Sequence, residues 1–79
     1  MFLEIITPEK KLFSGEITSL KVPGTSGEFQ VLKNHAPIIS TLKKGRIEIK
    51  SGEGPKSIDI LGGVVEVQKN KIVLLAESK

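Results

Sequence analysis

Cysteine, tryptophan and tyrosine are absent from these 79 residues, and histidine occurs once. Without cysteine there is no disulfide framework and no thiolate ligand, and His35 alone cannot build a structural zinc site, so no metal is expected. A hydrolytic triad needs a nucleophile, a base and an orienting acid. His35 is the only imidazole and Asp59 the only aspartate, set in an apolar stretch, so the chain is expected not to be an enzyme. The loop Gly24-Thr25-Ser26-Gly27 lacks the Lys-Ser/Thr pair of a phosphate-binding loop and reads as a tight connection, so no cofactor is expected. Three phenylalanines are the only aromatics, too few for a surface that stacks bases. The basic clusters Lys10-Lys11 and Lys43-Lys44-Gly45-Arg46 sit among nine acidic residues in a chain of net charge +3 and read as solvated turns, so no nucleic-acid partner is expected. No run approaches the roughly 18 apolar residues of a membrane span, and Phe2 to Ile6 is interrupted by Glu4 and lacks a basic leader. The expectation is a soluble, cytoplasmic chain with no direct membrane insertion.

What is present is alternation. Arg46-Ile47-Glu48-Ile49-Lys50 alternates charged and apolar residues strictly, as a half-buried strand does. Further strands are expected at Leu3 to Ile6, Ile17 to Val22 (ended by Pro23), Phe29 to Leu32, Ile38 to Leu42, Ser57 to Leu61, Val64 to Gln68 and Ile72 to Ala76. β-branched residues dominate them. Turn signals separate them: Pro8-Glu9, Ser14-Gly15, Pro23 to Gly27, Asn34 to Pro37, Lys44-Gly45, Ser51 to Pro55, Gly62-Gly63 and Lys69-Asn70. Lys69-Asn70 reads as a tight hairpin with Asn70 suited to positive φ. Gly62-Gly63 marks a bulge or a close approach of two strands. With no helical stripe, one all-β domain over residues 1–79 follows, an antiparallel sandwich or barrel. A domain this small buries only about 60 to 65% of its unfolded surface, so it is expected to need either a protein partner or unusually good packing.

Two other functions fit that composition. A lipoyl- or biotinyl-type carrier domain would display a lysine at a hairpin tip, as Lys69 could be displayed, but Gln68-Lys69-Asn70 lacks the flanking Asp or Met of such domains. A small nucleic-acid-binding β-barrel is weakened by the missing aromatics.

The segment from Val22 to Gly45, with Pro23-Gly24-Thr25-Ser26-Gly27, His35-Ala36-Pro37 and Leu42-Lys43-Lys44-Gly45 in order, resembles the signature of the epsilon subunit of F-type ATP synthases. So do Leu3-Glu4-Ile5-Ile6-Thr7-Pro8, Phe13-Ser14-Gly15, Gly62-Gly63-Val64-Val65-Glu66-Val67 and Val73-Leu74-Leu75-Ala76. The chain departs from the pattern at Lys33-Asn34, where the family usually has a proline, and at Val64, where it has an aromatic or bulky residue. Full-length members continue into a pair of carboxy-terminal helices with no counterpart before Lys79.

The resemblance implies an antiparallel β-sandwich of two sheets with about ten short strands. It implies a non-catalytic central-stalk subunit that couples c-ring rotation to the gamma subunit during proton-driven ATP synthesis. Such a subunit would lie peripherally at the cytoplasmic face of the energy-transducing membrane, with gamma and the c-ring as partners and no cofactor. It further implies that Gly27, Glu28 and His35 face the c-ring, and that Thr7, Ser40 and Leu42 face gamma.

Overall fold

The computed structural model describes residues 1–77, which form nine strands and no helix. In chain order these are β1 (Phe2–Ile6), β2 (Lys11–Glu16), β3 (Ser19–Gly24), β4 (Gly27–Leu32), β5 (Ile38–Leu42), β6 (Gly45–Ser51), β7 (Gly54–Ile60), β8 (Gly62–Gln68) and β9 (Lys71–Glu77). The strands pair in the order β2-β1-β9-β8-β5-β3-β6-β7, with β4 on the other side of β3. The link from β5 to β3 is the single pair Gly24↔Leu42. That narrow joint divides the curled sheet into a five-stranded layer, β2-β1-β9-β8-β5, and a four-stranded layer, β4-β3-β6-β7.

The two layers trap one core. Leu3 and Ile5 of β1, Val65 and Val67 of β8, and Ile72 and Leu74 of β9 point inward from the first layer. Leu20 and Val22 of β3, Val31 of β4, and Ile47 and Ile49 of β6 point inward from the second. Period-two alternation makes this possible, because each strand delivers every second side chain to one face. In β6 the inward residues are the two isoleucines, and Arg46, Glu48 and Lys50 are exposed.

Four local expectations are corrected. Ser14-Gly15 is not a turn: it lies inside β2, paired with Glu4 and Leu3. Pro23 does not end β3 but lies within it, opposite Glu28. The two-residue Thr25-Ser26 turn makes Gly24 and Gly27 the bonded pair, so Pro23's missing N–H would have pointed away from β4; its carbonyl on that side accepts from Lys43 N–H at 2.9 Å. At the β8–β9 hairpin the positive φ, 49°, falls on Lys69 rather than Asn70. β1 pairs β9 in parallel, the one exception to antiparallel order. These two segments lie at opposite ends of the chain, so no tight turn forces them to run opposite ways.

Gly63 is a close-approach position, as its sequence context suggested. A Cβ there would collide with the Leu75 carbonyl oxygen and come within 3.2 Å of the Ala76 Cα across the β8–β9 ladder.

Candidate interaction surfaces

Strand direction decides which candidate residues can act together. β3 runs from Ser19 up to Gly24 and β4 returns from Gly27 to Leu32 in register. Gly27 and Leu32 therefore lie at opposite ends of the sandwich, roughly 17 Å apart at strand rise. Gly27 and Glu28 are exposed beside the Thr25-Ser26 turn, whereas His35 lies in the turn beyond Leu32. The three residues named for the c-ring thus fall into two separate places.

The Glu28 carboxylate lies 3.4 Å from the Lys21 ammonium of the neighbouring strand. His35 serves its own turn. Its N–H donates to the Leu32 carbonyl at 3.1 Å, and its Nδ1 lies 2.7 Å from the Ala36 carbonyl, which can only accept, so Nδ1 carries the proton. Asn34, at φ 68°, supplies the positive φ that such a turn needs at its third position.

The three residues named for gamma are mostly turned inward. Thr7 is buried; its Oγ1 donates to the Lys10 carbonyl at 2.9 Å and accepts from the Lys10 N–H at 3.1 Å, closing the turn after β1. Leu42 is buried in the core, and Ser40 shares its face and is half-buried. The outward side chains of β5 are Ile39 and Thr41.

Those two residues open onto a larger surface that the sequence reading did not single out. The ladders align Ile39, Glu66, Val73 and Glu4 in one outward row across β5, β8, β9 and β1, and Thr41, Val64, Leu75 and Ile6 in the next. Ile39 is 70% exposed, Leu75 54% and Val64 38%. Beside the second row, Ile6, Pro8, Val64 and Leu75 line a depression of about 380 Å³ that reaches Gly63. Within the first row Glu4 is paired to Lys11 at 3.0 Å, whereas Glu66 accepts a hydrogen bond from Gln68 at 3.1 Å and has no cationic partner among the described residues. The signal was legible: Ile72 to Ala76 is apolar at both parities, the pattern of a strand covered on both faces.

No cluster of three or more His, Cys, Asp or Glu side chains occurs among the described residues, and no helix there is long and apolar enough to cross a membrane. Lys69 does occupy the tip of the β8–β9 hairpin, as a carrier lysine would.

Residues 1–79 match the family model described as the ATP synthase delta/epsilon chain β-sandwich domain. An ATP synthase epsilon chain of Leptospira borgpetersenii is 45% identical over 75 residues, covering 95% of this chain and 59% of the relative. That of Chlorobium limicola is 46% identical over 76 residues, 95% of this chain and 86% of the relative. That of Caulobacter vibrioides is 40% identical over 77 residues, 98% of this chain and 90% of the relative. Against the Leptospira protein, therefore, the chain spans less than two thirds of the relative's length. In fold it resembles a chain from the central stalk and c-ring of the Tetrahymena thermophila mitochondrial ATP synthase, with a TM-score of 0.85 at 14% identity, covering 99% of this chain and 63% of that one. A chain from the Euglena gracilis enzyme superposes with a TM-score of 0.86 at 19% identity, covering 94% and 48%.

Proposed function

The chain belongs to the family of ATP synthase delta/epsilon β-sandwich domains, and on that premise we propose that it is a non-catalytic rotor subunit joining the gamma subunit to the c-ring in proton-driven ATP synthesis. The observation that carries the proposal is the apolar outer face of the five-stranded layer. An exposed surface holding Ile39, Val64 and Leu75 costs solubility unless a partner covers it. Gamma would dock there, with apolar side chains over the Thr41–Val64–Leu75–Ile6 row and a cation meeting Glu66. The strand bearing Ser40 and Leu42 contributes through its outward neighbours Ile39 and Thr41. Thr7 contributes by fixing the turn that carries Pro8 to the edge of the patch.

Gly27 and Glu28, on a turn at one end, would face the c-ring, where Glu28 exchanges Lys21 for a cation of the ring's polar loops. An exposed pair of that kind contributes about 0–1 kcal/mol, enough to tune docking and too little to hold it. His35, at the opposite end, keeps its turn in shape. The subunit's task is then mechanical. It must transmit torque as a rigid body, and a sandwich with an interleaved core resists shear where a lone hairpin would not. It would sit at the cytoplasmic face of the membrane, held there by its partners.

Co-purification with tagged gamma tests the reading, together with a thermal melt. A partner that binds only the native state raises the melting midpoint by mass action. An unmoved midpoint with excess gamma, and no co-purification, would overturn it. The carrier reading is disfavoured by the family match and would require a lipoyl or biotinyl mass increment on Lys69.

A further inference from the structure

Three strands, β2, β4 and β7, each have a single neighbour among the described residues, and they are guarded unequally. An unpaired edge is a template for another chain, and folded proteins blunt it with proline, charge, bulges or cover. β7 begins with Gly54 at φ 105° and Pro55, whose missing N–H falls on the open side. It also carries Lys56 and Asp59, and the Lys56 ammonium lies 5.5 Å from the centroid of the Phe13 ring of β2. β2 is bulged opposite Ile5/Ile6 and has Lys11 and Glu16 at its ends.

β4 also opens on a positive-φ glycine, Gly27 at 136°, but it has neither a proline nor a bulge. Its register with β3 is continuous from Ser19↔Leu32 to Gly24↔Gly27, and it carries a single charge, Glu28, where β2 and β7 carry two each. Because Gly24 and Gly27 form the bonded pair at the turn, the N–H and C=O of Glu28 and of Gln30, and the N–H of Leu32, point to the open side. The groups of Glu28 and Gln30 there find no backbone partner among the described residues, and the Leu32 carbonyl already accepts from His35.

We infer that β4 is a self-pairing edge, and that two copies of this chain join their β4 strands antiparallel about Gln30. In that register Gln30 exchanges both backbone bonds with Gln30 of the second copy, and the Leu32 N–H donates to the second copy's Glu28 carbonyl. The outward side chains are complementary as well: Glu28 lies opposite Leu32, so no like charges meet, and Leu32, 51% exposed in the single chain, is covered. The strand carrying Glu28 is occupied in such a pair, so this is a form of the unassembled subunit. It does not depend on where gamma docks.

Sedimentation equilibrium of the purified chain at concentrations rising to millimolar should show reversible association to twice the 8.6 kDa monomer mass. Leu32→Glu places carboxylates opposite Glu28 at two symmetric positions and should weaken association roughly three- to tenfold. Leu32→Lys should tighten it by a similar factor. Gln30→Pro, which removes only an outward N–H, should abolish it, and Ser57→Pro on the open side of β7 should not. A wild-type chain that stays monomeric, Leu32 variants that shift association in the same direction, or loss of association in Ser57→Pro would overturn the inference. Both Leu32 substitutions lie at an exposed position, so the test survives if Gln30→Pro fails to fold.

Discussion

The outer row of β6 and the outer row of β9 obey the same geometric rule and have opposite chemistry. β6 turns two isoleucines to the core and Arg46, Glu48 and Lys50 to solvent; β9 turns Ile72, Leu74 and Ala76 inward and yet places Val73 and Leu75 outside. Folding needs only the inner rows. The difference between the outer ones is what the proposed function rests on: one outer row is charged, and the other is apolar and open to the partner proposed above.

The contrast between inner and outer rows can be broken most severely at β5. Leu42→Asp puts a carboxylate into the core beside the joint between the layers, at a cost of about 4 kcal/mol or more. A core of this size rarely supplies more than about 3–5 kcal/mol, so circular dichroism should show a largely unfolded chain at physiological temperature. A stably folded Leu42→Asp that merely lost gamma would mean that β5 turns the other way.

Gly63→Ala tests the packing beneath the apolar patch. The added methyl meets the β9 backbone and should destabilise the domain by about 1–3 kcal/mol, read as a lowered denaturant midpoint. Next in size is an effect on binding alone. Leu75→Glu should weaken gamma binding by about 2 kcal/mol, roughly thirty-fold, while Glu48→Lys on the charged face leaves binding unchanged. Both variants should keep their stability within about 0.5 kcal/mol, since both positions are exposed. The smallest effect belongs to Glu28→Lys: fold and gamma binding intact, c-ring docking weakened by about 0–1 kcal/mol, and coupled proton pumping lowered in the assembled complex. Loss of gamma binding in this variant would exchange the two surfaces.

The sequence made the strands legible wherever local alternation was clean, as in Arg46 to Lys50. It misled where a turn-forming residue is overruled by pairing. Gly15 sits in β2 because Leu3 lies opposite it, and Pro23 sits in β3 because its missing donor points away from β4, between the rungs to β6 and the single rung to β5. The β1–β9 pair was out of reach, since nothing local in Phe2 to Ile6 encodes a partner at Lys71 to Leu75. The family resemblance was carried by motifs in order and spacing, and the match over residues 1–79 agrees with it. The candidate surfaces were harder. Ile38 to Leu42 has apolar residues at both parities, so its inward face cannot be read without the ladder to β8. Glu28 and His35 are seven positions apart in the chain, which hides that β4 carries them to opposite ends.

The most direct test of the docking face is a methyl NMR titration of the chain with gamma. The signals of Ile39, Val64, Val73 and Leu75 should shift or broaden, while that of Ile58 on β7 stays in place. A shift at Ile58, with Ile39, Val64 and Leu75 unmoved, would put the partner on the other layer and contradict the account.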